Sequence, residues 1–166
     1  MPTDILKRAV SLAVLCLVQV LVLNQMHLFD CATPLLYVYM AILFPVGYPR
    51  WAVLLWCFAL GLVIDTFSNT PGVASASMTL VGAIQPYVLG AFVQRDAAPD
   101  TAPSMRTIGV GKYISYVLII VVVYCLCFFS LEAFSFFNWT HWLECIGGSA
   151  VFTMLFIFTI ESVRRK

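Results

Sequence analysis

The sequence predicts an all-α integral membrane protein: six transmembrane helices in one domain, with both termini in the cytoplasm. Three observations predict it. Of the 166 residues, 62% are hydrophobic and only 10% charged, against ~45–50% and ~25% in soluble domains. The apolar residues gather into six runs, and ~17–25 apolar residues suffice to cross a bilayer core. When six crossings are drawn, all nine Lys and Arg residues fall on one side, as the positive-inside rule requires of the cytoplasmic face.

The first run covers residues 5–23. Leu, Val and Ala dominate it, and Gln19 is its strongly polar interior residue. Lys7 and Arg8 precede it, but no small-residue cleavage site follows Asn24 and Gln25, so it reads as a retained helix rather than a signal peptide. The second run, residues 34–46, closes at Pro45 and Pro49. It is short for a crossing, which leaves a tilted, re-entrant or bilayer-thinning segment as alternatives. The third run covers residues 51–67, and the turn Ser68-Asn69-Thr70-Pro71-Gly72 breaks it. The fourth, residues 73–93, is rich in small side chains. A polar stretch, residues 94–112, follows and is the one loop long enough to serve cytoplasmic partners. The fifth and sixth runs cover residues 113–134 and 142–163.

The basic residues are Lys7, Arg8, Arg50, Arg95, Arg106, Lys112, Arg164, Arg165 and Lys166. They occupy the two termini and the second and fourth loops. Removing any one span would scatter them over both faces. Trp51 near the inner start of the third span, and Trp139 and Trp142 near the outer start of the sixth, suit interfacial belts.

Asp65 is the acid that falls well inside a span. It lies fifteen residues beyond Arg50, ~22 Å from the inner surface at 1.5 Å per residue. A carboxylate at depth costs at least ~2.5–3.5 kcal/mol, so it should face protein or water. By the same arithmetic Asn24 and Thr79 sit at ~24 Å, with Ser75 and Ser77 slightly higher. An outer-leaflet polar cluster is therefore expected, formed by Asp65 with some of Asn24, Gln25, Ser75, Ser77 and Thr79. It has two readings. In one it is a ligand or ion site. In the other Asp65 is structural, capping the Ser68–Gly72 turn or tying the third helix to the fourth.

Gln85 falls near the midplane, beside Pro86. Gly82, Pro86 and Gly90 recur at every fourth position and form a smooth face suited to close helix packing. Gly147, Gly148 and Ser149 make a similar patch. The remaining acids read as interfacial: Glu132 and Glu144 at the outer surface, and Glu161 paired along the helix with Arg164 and Arg165. No nucleophile elbow, zinc-helix motif or P-loop occurs, so the expectation is a protein without enzymatic activity. His27 and His141 lack enough companions for a metal site, and the six cysteines lack metal or redox spacing. No cofactor and no nucleic-acid partner are expected.

The pattern G-L-x-x-D-x-F-S-x-x-P-G, here Gly61, Leu62, Asp65, Phe67, Ser68, Pro71 and Gly72, resembles the MreD family of rod shape-determining proteins. With the preceding P-x-x-x-P-R-W, Pro45 to Trp51, it is similar to members from the Bacteroidetes. The resemblance extends over the whole chain in size and span count, and its specific part is residues 45–72. It implies a small multi-pass protein of the bacterial inner membrane that belongs to the cell-wall elongation machinery. Such a protein binds the single-span MreC. Through it, the cytoplasmic actin-like MreB is linked to the RodA transglycosylase and its transpeptidase. The fold it implies is similar to the six-helix substrate-binding subunit of energy-coupling-factor vitamin transporters. The family offers no catalytic residues; what carries over is the corner of Gly61, Asp65, Ser68, Pro71 and Gly72. Two functions follow as expectations. One is a scaffold whose face at Gly82, Pro86 and Gly90 receives the MreC helix. The alternative, by fold analogy alone, is a small-solute-binding transporter subunit with its site around Asp65.

Overall fold

The computed structural model describes residues 10, 12–19, 35–45, 47–68, 70, 72–93, 103–105, 107–133 and 139–164. Among them the secondary structure is helical, without strands. Residues 12–19 form the described part of α1. Helix α2 is Val38–Ile42, α3 Arg50–Ser68, α4 Val73–Phe92, α5 Val110–Ala133 and α6 Trp139–Arg164. Four stretches are long and apolar enough to cross a membrane: Arg50–Ser68, Val73–Phe92, Val110–Glu132 and Trp142–Val163. The membrane character read from composition therefore stands on four helices.

Each long helix sorts its residues by face. In α3, Trp51, Leu55, Phe58 and Leu62 are exposed; their spacing of four, three and four residues makes one lipid-facing stripe. Val53, Cys57, Leu60 and Ile64 are buried on the other side. In α5 the buried stripe is Tyr113, Tyr116, Val117, Ile120, Tyr124 and Phe128. In α6 every fourth residue from Cys145 is buried: Ser149, Thr153, Ile157 and Glu161. In α1, Leu15, Cys16 and Gln19 turn inward, while Val14, Leu17 and Val18 do not. Lipid tails are as apolar as leucine, so this sorting cannot rest on hydrophobicity. It rests on close packing and on polar groups that lipid cannot satisfy.

The second run differs from a spanning helix. Its helical part is five residues long, ~7.5 Å at 1.5 Å per residue, against ~30 Å of hydrocarbon. All five residues are buried, and Leu35, Leu36, Tyr37 and Phe44 are buried with them. A helix apolar on every side belongs inside a core. Here residues 35–44 lie within the core, which they share with inward-facing residues of the longer helices. The Leu43 N–H closes the last turn on the Tyr39 carbonyl at 3.2 Å, and Pro45 then prevents continuation.

Two helices start earlier than the hydrophobic runs suggest. Helix α5 begins at Val110, inside the expected polar loop, after Gly109 with φ of 92°. Just before it, Ser104 and Thr107 bond each other through backbone and hydroxyl groups. Helix α6 begins at Trp139. Residues 94–102 of the loop lie outside the described residues.

Candidate functional site

The corner between α3 and α4 is built on one carboxylate. A helix start leaves its first N–H groups without intrahelical partners. Gly72, the N-cap of α4, has φ of 88° and no side chain to offer. Its left-handed backbone folds the chain back so that α4 runs beside α3. The N–H of Val73 reaches the Thr70 carbonyl at 3.3 Å. The next two reach across to α3: Ala74 N–H donates to Asp65 Oδ1 at 2.8 Å, and Ser75 N–H donates to Oδ2 at 2.9 Å. The Thr70 hydroxyl adds a third bond to Oδ1 at 3.2 Å. Ala76 N–H then makes the first regular helical bond, to the Gly72 carbonyl.

Asp65 is thus a cap supplied by the neighbouring helix. Both of its oxygens accept from α4, and the side chain is 7% exposed. Its negative charge lies at the positive end of the α4 dipole, which offsets the cost of placing it in a low-dielectric layer. Gly61, one turn before Asp65, makes this reach possible. A Cβ on Gly61 would stand 2.4 Å from Ser75 Cα and 2.8 Å from the Ala74 carbonyl oxygen. The two backbones touch there, with no room for a side chain.

The other residues of the expected cluster take different positions. Ser75 joins it through its backbone N–H. Ser77 and Thr79 donate their hydroxyls to the carbonyls one turn back, Val73 and Ser75, the usual way for hydroxyls to be satisfied within a membrane helix. Ser68 ends α3, half-buried. Asn24, Gln25 and Pro71 lie outside the described residues. Thr70, unsuspected from depth arithmetic, supplies a ligand to Asp65; its place in the S-N-T-P-G turn is the signal that could have found it. The expected packing face of α4 divides. Gly82 is buried against Cys57, whose Sγ would stand 2.9 Å from an added Cβ. Pro86 is half-buried, and Gly90 is exposed over open space.

A second polar arrangement anchors residues 35–44. A short segment in a dry core has backbone groups that its own turns cannot satisfy. The surrounding helices satisfy them. Leu35 N–H donates to Thr153 Oγ1 of α6 at 3.0 Å, and Leu36 N–H to Gln19 Oε1 of α1 at 3.0 Å. Gln85 Nε2 of α4 donates to the Phe44 carbonyl at 3.2 Å and to the Tyr116 hydroxyl at 3.1 Å. Tyr116 of α5 in turn donates to the Ile42 carbonyl at 3.4 Å. The hydroxyls of Tyr37 and Tyr124 bond each other. Glu161 belongs here too. It is buried, 4% exposed, and accepts from the Tyr39 hydroxyl at 2.9 Å. It therefore faces the core segment, not outward as its reading as a surface residue beside Arg164 and Arg165 suggested.

Gln85 serves two elements at once, so Gln85→Leu should loosen the core segment. The Phe44 carbonyl and the Tyr116 hydroxyl each lose the Gln85 donor, at ~0.5–1.5 kcal/mol for each hydrogen bond removed. The expected readout is faster amide exchange over residues 35–44 in detergent, with the exchange of α3 unchanged. Equal protection in both proteins would refute the anchoring role.

The arrangement around Asp65 ties α3 to α4. Its carboxylate oxygens are engaged by the N–H groups of Ala74 and Ser75 and by the Thr70 hydroxyl. Compared with protein-family models, with curated proteins and with solved structures, the chain matches none of them.

Proposed function

We propose that this chain is a non-catalytic membrane scaffold of the MreD kind. In this reading it lies in the bacterial inner membrane and holds a single-span partner similar to MreC. Through that partner it serves the cell-wall elongation machinery, with MreB on the cytoplasmic side and RodA with its transpeptidase in the membrane. The observation that carries the proposal is the engagement of Asp65. The acid of the motif corner caps α4 with both oxygens, and so acts in building a rigid helix pair. A rigid, lipid-facing helix surface suits the recognition of another transmembrane helix. The same engagement weighs against the solute-binding alternative, which needs Asp65 free to meet a ligand.

The test is a detergent pull-down of the tagged chain from native membranes, with mass spectrometry of what is retained. Recovery of an MreC-like protein with wall-synthesis enzymes is the expected result. Recovery of an energy-coupling ATPase module in their place would overturn the scaffold reading and return Asp65 to the list of ligand residues.

A further inference from the structure

At the inner end of α3 and α4 an exposed cation is held in place. Arg50, the first residue of α3, is exposed. Its guanidinium lies 5.1 Å from the ring centroid of Tyr87, and its Nη1 donates to the Tyr87 hydroxyl at 3.1 Å. Among the described residues no carboxylate pairs with it. Tyr87 is itself 66% exposed, and the neighbouring Trp51 is 71% exposed. Free arginine side chains at a surface are ordinarily mobile. This one is met by a ring and a hydroxyl, neither of which neutralises its charge.

The face of α4 that runs from this point into the membrane carries exposed apolar residues. Ala83, Leu80 and Ala76 are exposed on α4. They lie four, seven and eleven residues before Tyr87, on the same face of the helix. A polar, positively charged head therefore stands above a smooth apolar strip, flanked by an interfacial tryptophan. That order, a cation and then exposed apolar residues, complements the anionic head and acyl chain of a phospholipid. Arg50, Arg95, Arg106 and Lys112 gather in sequence at this end of α3, α4 and α5, the pattern of a cytoplasmic face, where anionic headgroups face it.

We propose that Arg50 and Tyr87 form the headgroup site for an anionic phospholipid of the inner leaflet, whose acyl chain lies along Ala83, Leu80 and Ala76. The phosphate sits against the Arg50 guanidinium, which offers hydrogen bonds in a planar fork that matches phosphate oxygens. The Tyr87 ring orients that fork. Helix α3 contributes its positive end as a secondary attraction. Lys112 carries charge at the same membrane surface but has no ring to fix it among the contacts of the described residues, and takes no part in the site.

The test uses the full chain in detergent micelles, titrated with a phosphatidylglycerol or with the phosphatidylcholine of the same acyl chains. Bound lipid is counted by native mass spectrometry. The wild-type chain should bind the first anionic lipid about fivefold more tightly than the zwitterionic one, the fold-change equal to ~1 kcal/mol for one basic residue at an anionic surface. Arg50→Gln should bring the ratio near one, and Tyr87→Ala should lower it by freeing the guanidinium. Lys112→Gln should leave it unchanged. All three positions are exposed, so circular dichroism should show unaltered helix content. Equal binding of the two lipids by the wild type would overturn the proposal. So would a loss in Lys112→Gln as large as in Arg50→Gln, which would mean a diffuse positive surface. Displacement of the lipid by inorganic phosphate alone would mean a simple anion site, and would overturn it as well.

Discussion

Asp65→Ala should lower the stability of the protein in detergent by ~3–5 kcal/mol. The substitution leaves the N–H groups of Ala74 and Ser75 without acceptors. Each unsatisfied buried group costs ~1–3 kcal/mol, and the lost interaction between the carboxylate and the α4 dipole adds ~0.3–2 kcal/mol. Asp65→Asn separates these contributions. Its amide oxygen still accepts one N–H, while its amide nitrogen meets the other as donor against donor, so about half the loss is expected. The ordering wild type above Asn above Ala should appear in the midpoints of denaturation by sodium dodecyl sulfate, followed by the circular dichroism of the helices. Identical midpoints for all three would mean that the carboxylate does not hold the helix pair. If α4 fraying follows from the loss, amide exchange should rise first at Ala74 and Ser75. The same variants bear on function. A scaffold with a loosened α3–α4 pair should retain less of its partner in the pull-down, in proportion to lost stability.

The membrane character was legible because it depends on composition and run length, which are local properties. The role of residues 35–44 was not. Hydropathy cannot distinguish a short run that meets lipid from one enclosed by other helices, since both environments accept Val38, Met40 and Ile42. The discriminating information lay in scattered polar residues on four other helices: Gln19, Gln85, Tyr116 and Thr153. Each was unremarkable alone, and their common target appears only in three dimensions. Depth arithmetic set Asp65 level with Thr79, whereas its helix partners are the Ala74 and Ser75 N–H groups at the start of α4; it could not tell side-chain partners from backbone partners. Ser77 and Thr79 instead bond the carbonyls of their own helix. Glu161 was misplaced by arithmetic of another kind. Its separation from Arg164 says how near the membrane surface it lies along the axis, and nothing about which way it faces around the helix. The spacing from Cys145 through Ser149, Thr153 and Ile157 carries that second coordinate, and places Glu161 inward.

The three glycines tested by an added methyl group should give a graded result, because the structure sets each against a different neighbour. Gly61→Ala should be the most damaging, at ~3 kcal/mol or more. Its methyl group would stand 2.4 Å from Ser75 Cα, and a backbone atom of a packed helix cannot swing aside as a side chain can. The helices must separate by more than an ångström, beyond the ordinary ~1–3 kcal/mol of overpacking. That movement also draws Asp65 away from the Ala74 and Ser75 N–H groups. Gly82→Ala meets the Cys57 thiol, the end of a side chain that can rotate, so ~1 kcal/mol is expected. Gly90→Ala meets open space and should be neutral or stabilising by ~0.5–1 kcal/mol, since alanine favours the helix. A double-mutant cycle distinguishes shared from independent causes. If Gly61 matters because it lets Asp65 reach α4, Gly61→Ala combined with Asp65→Asn should cost less than the sum of the two. Additive losses would mean that the close approach and the cap stabilise the corner separately. A Gly61→Ala protein as stable as the wild type would mean that α3 and α4 do not touch backbone to backbone in the membrane.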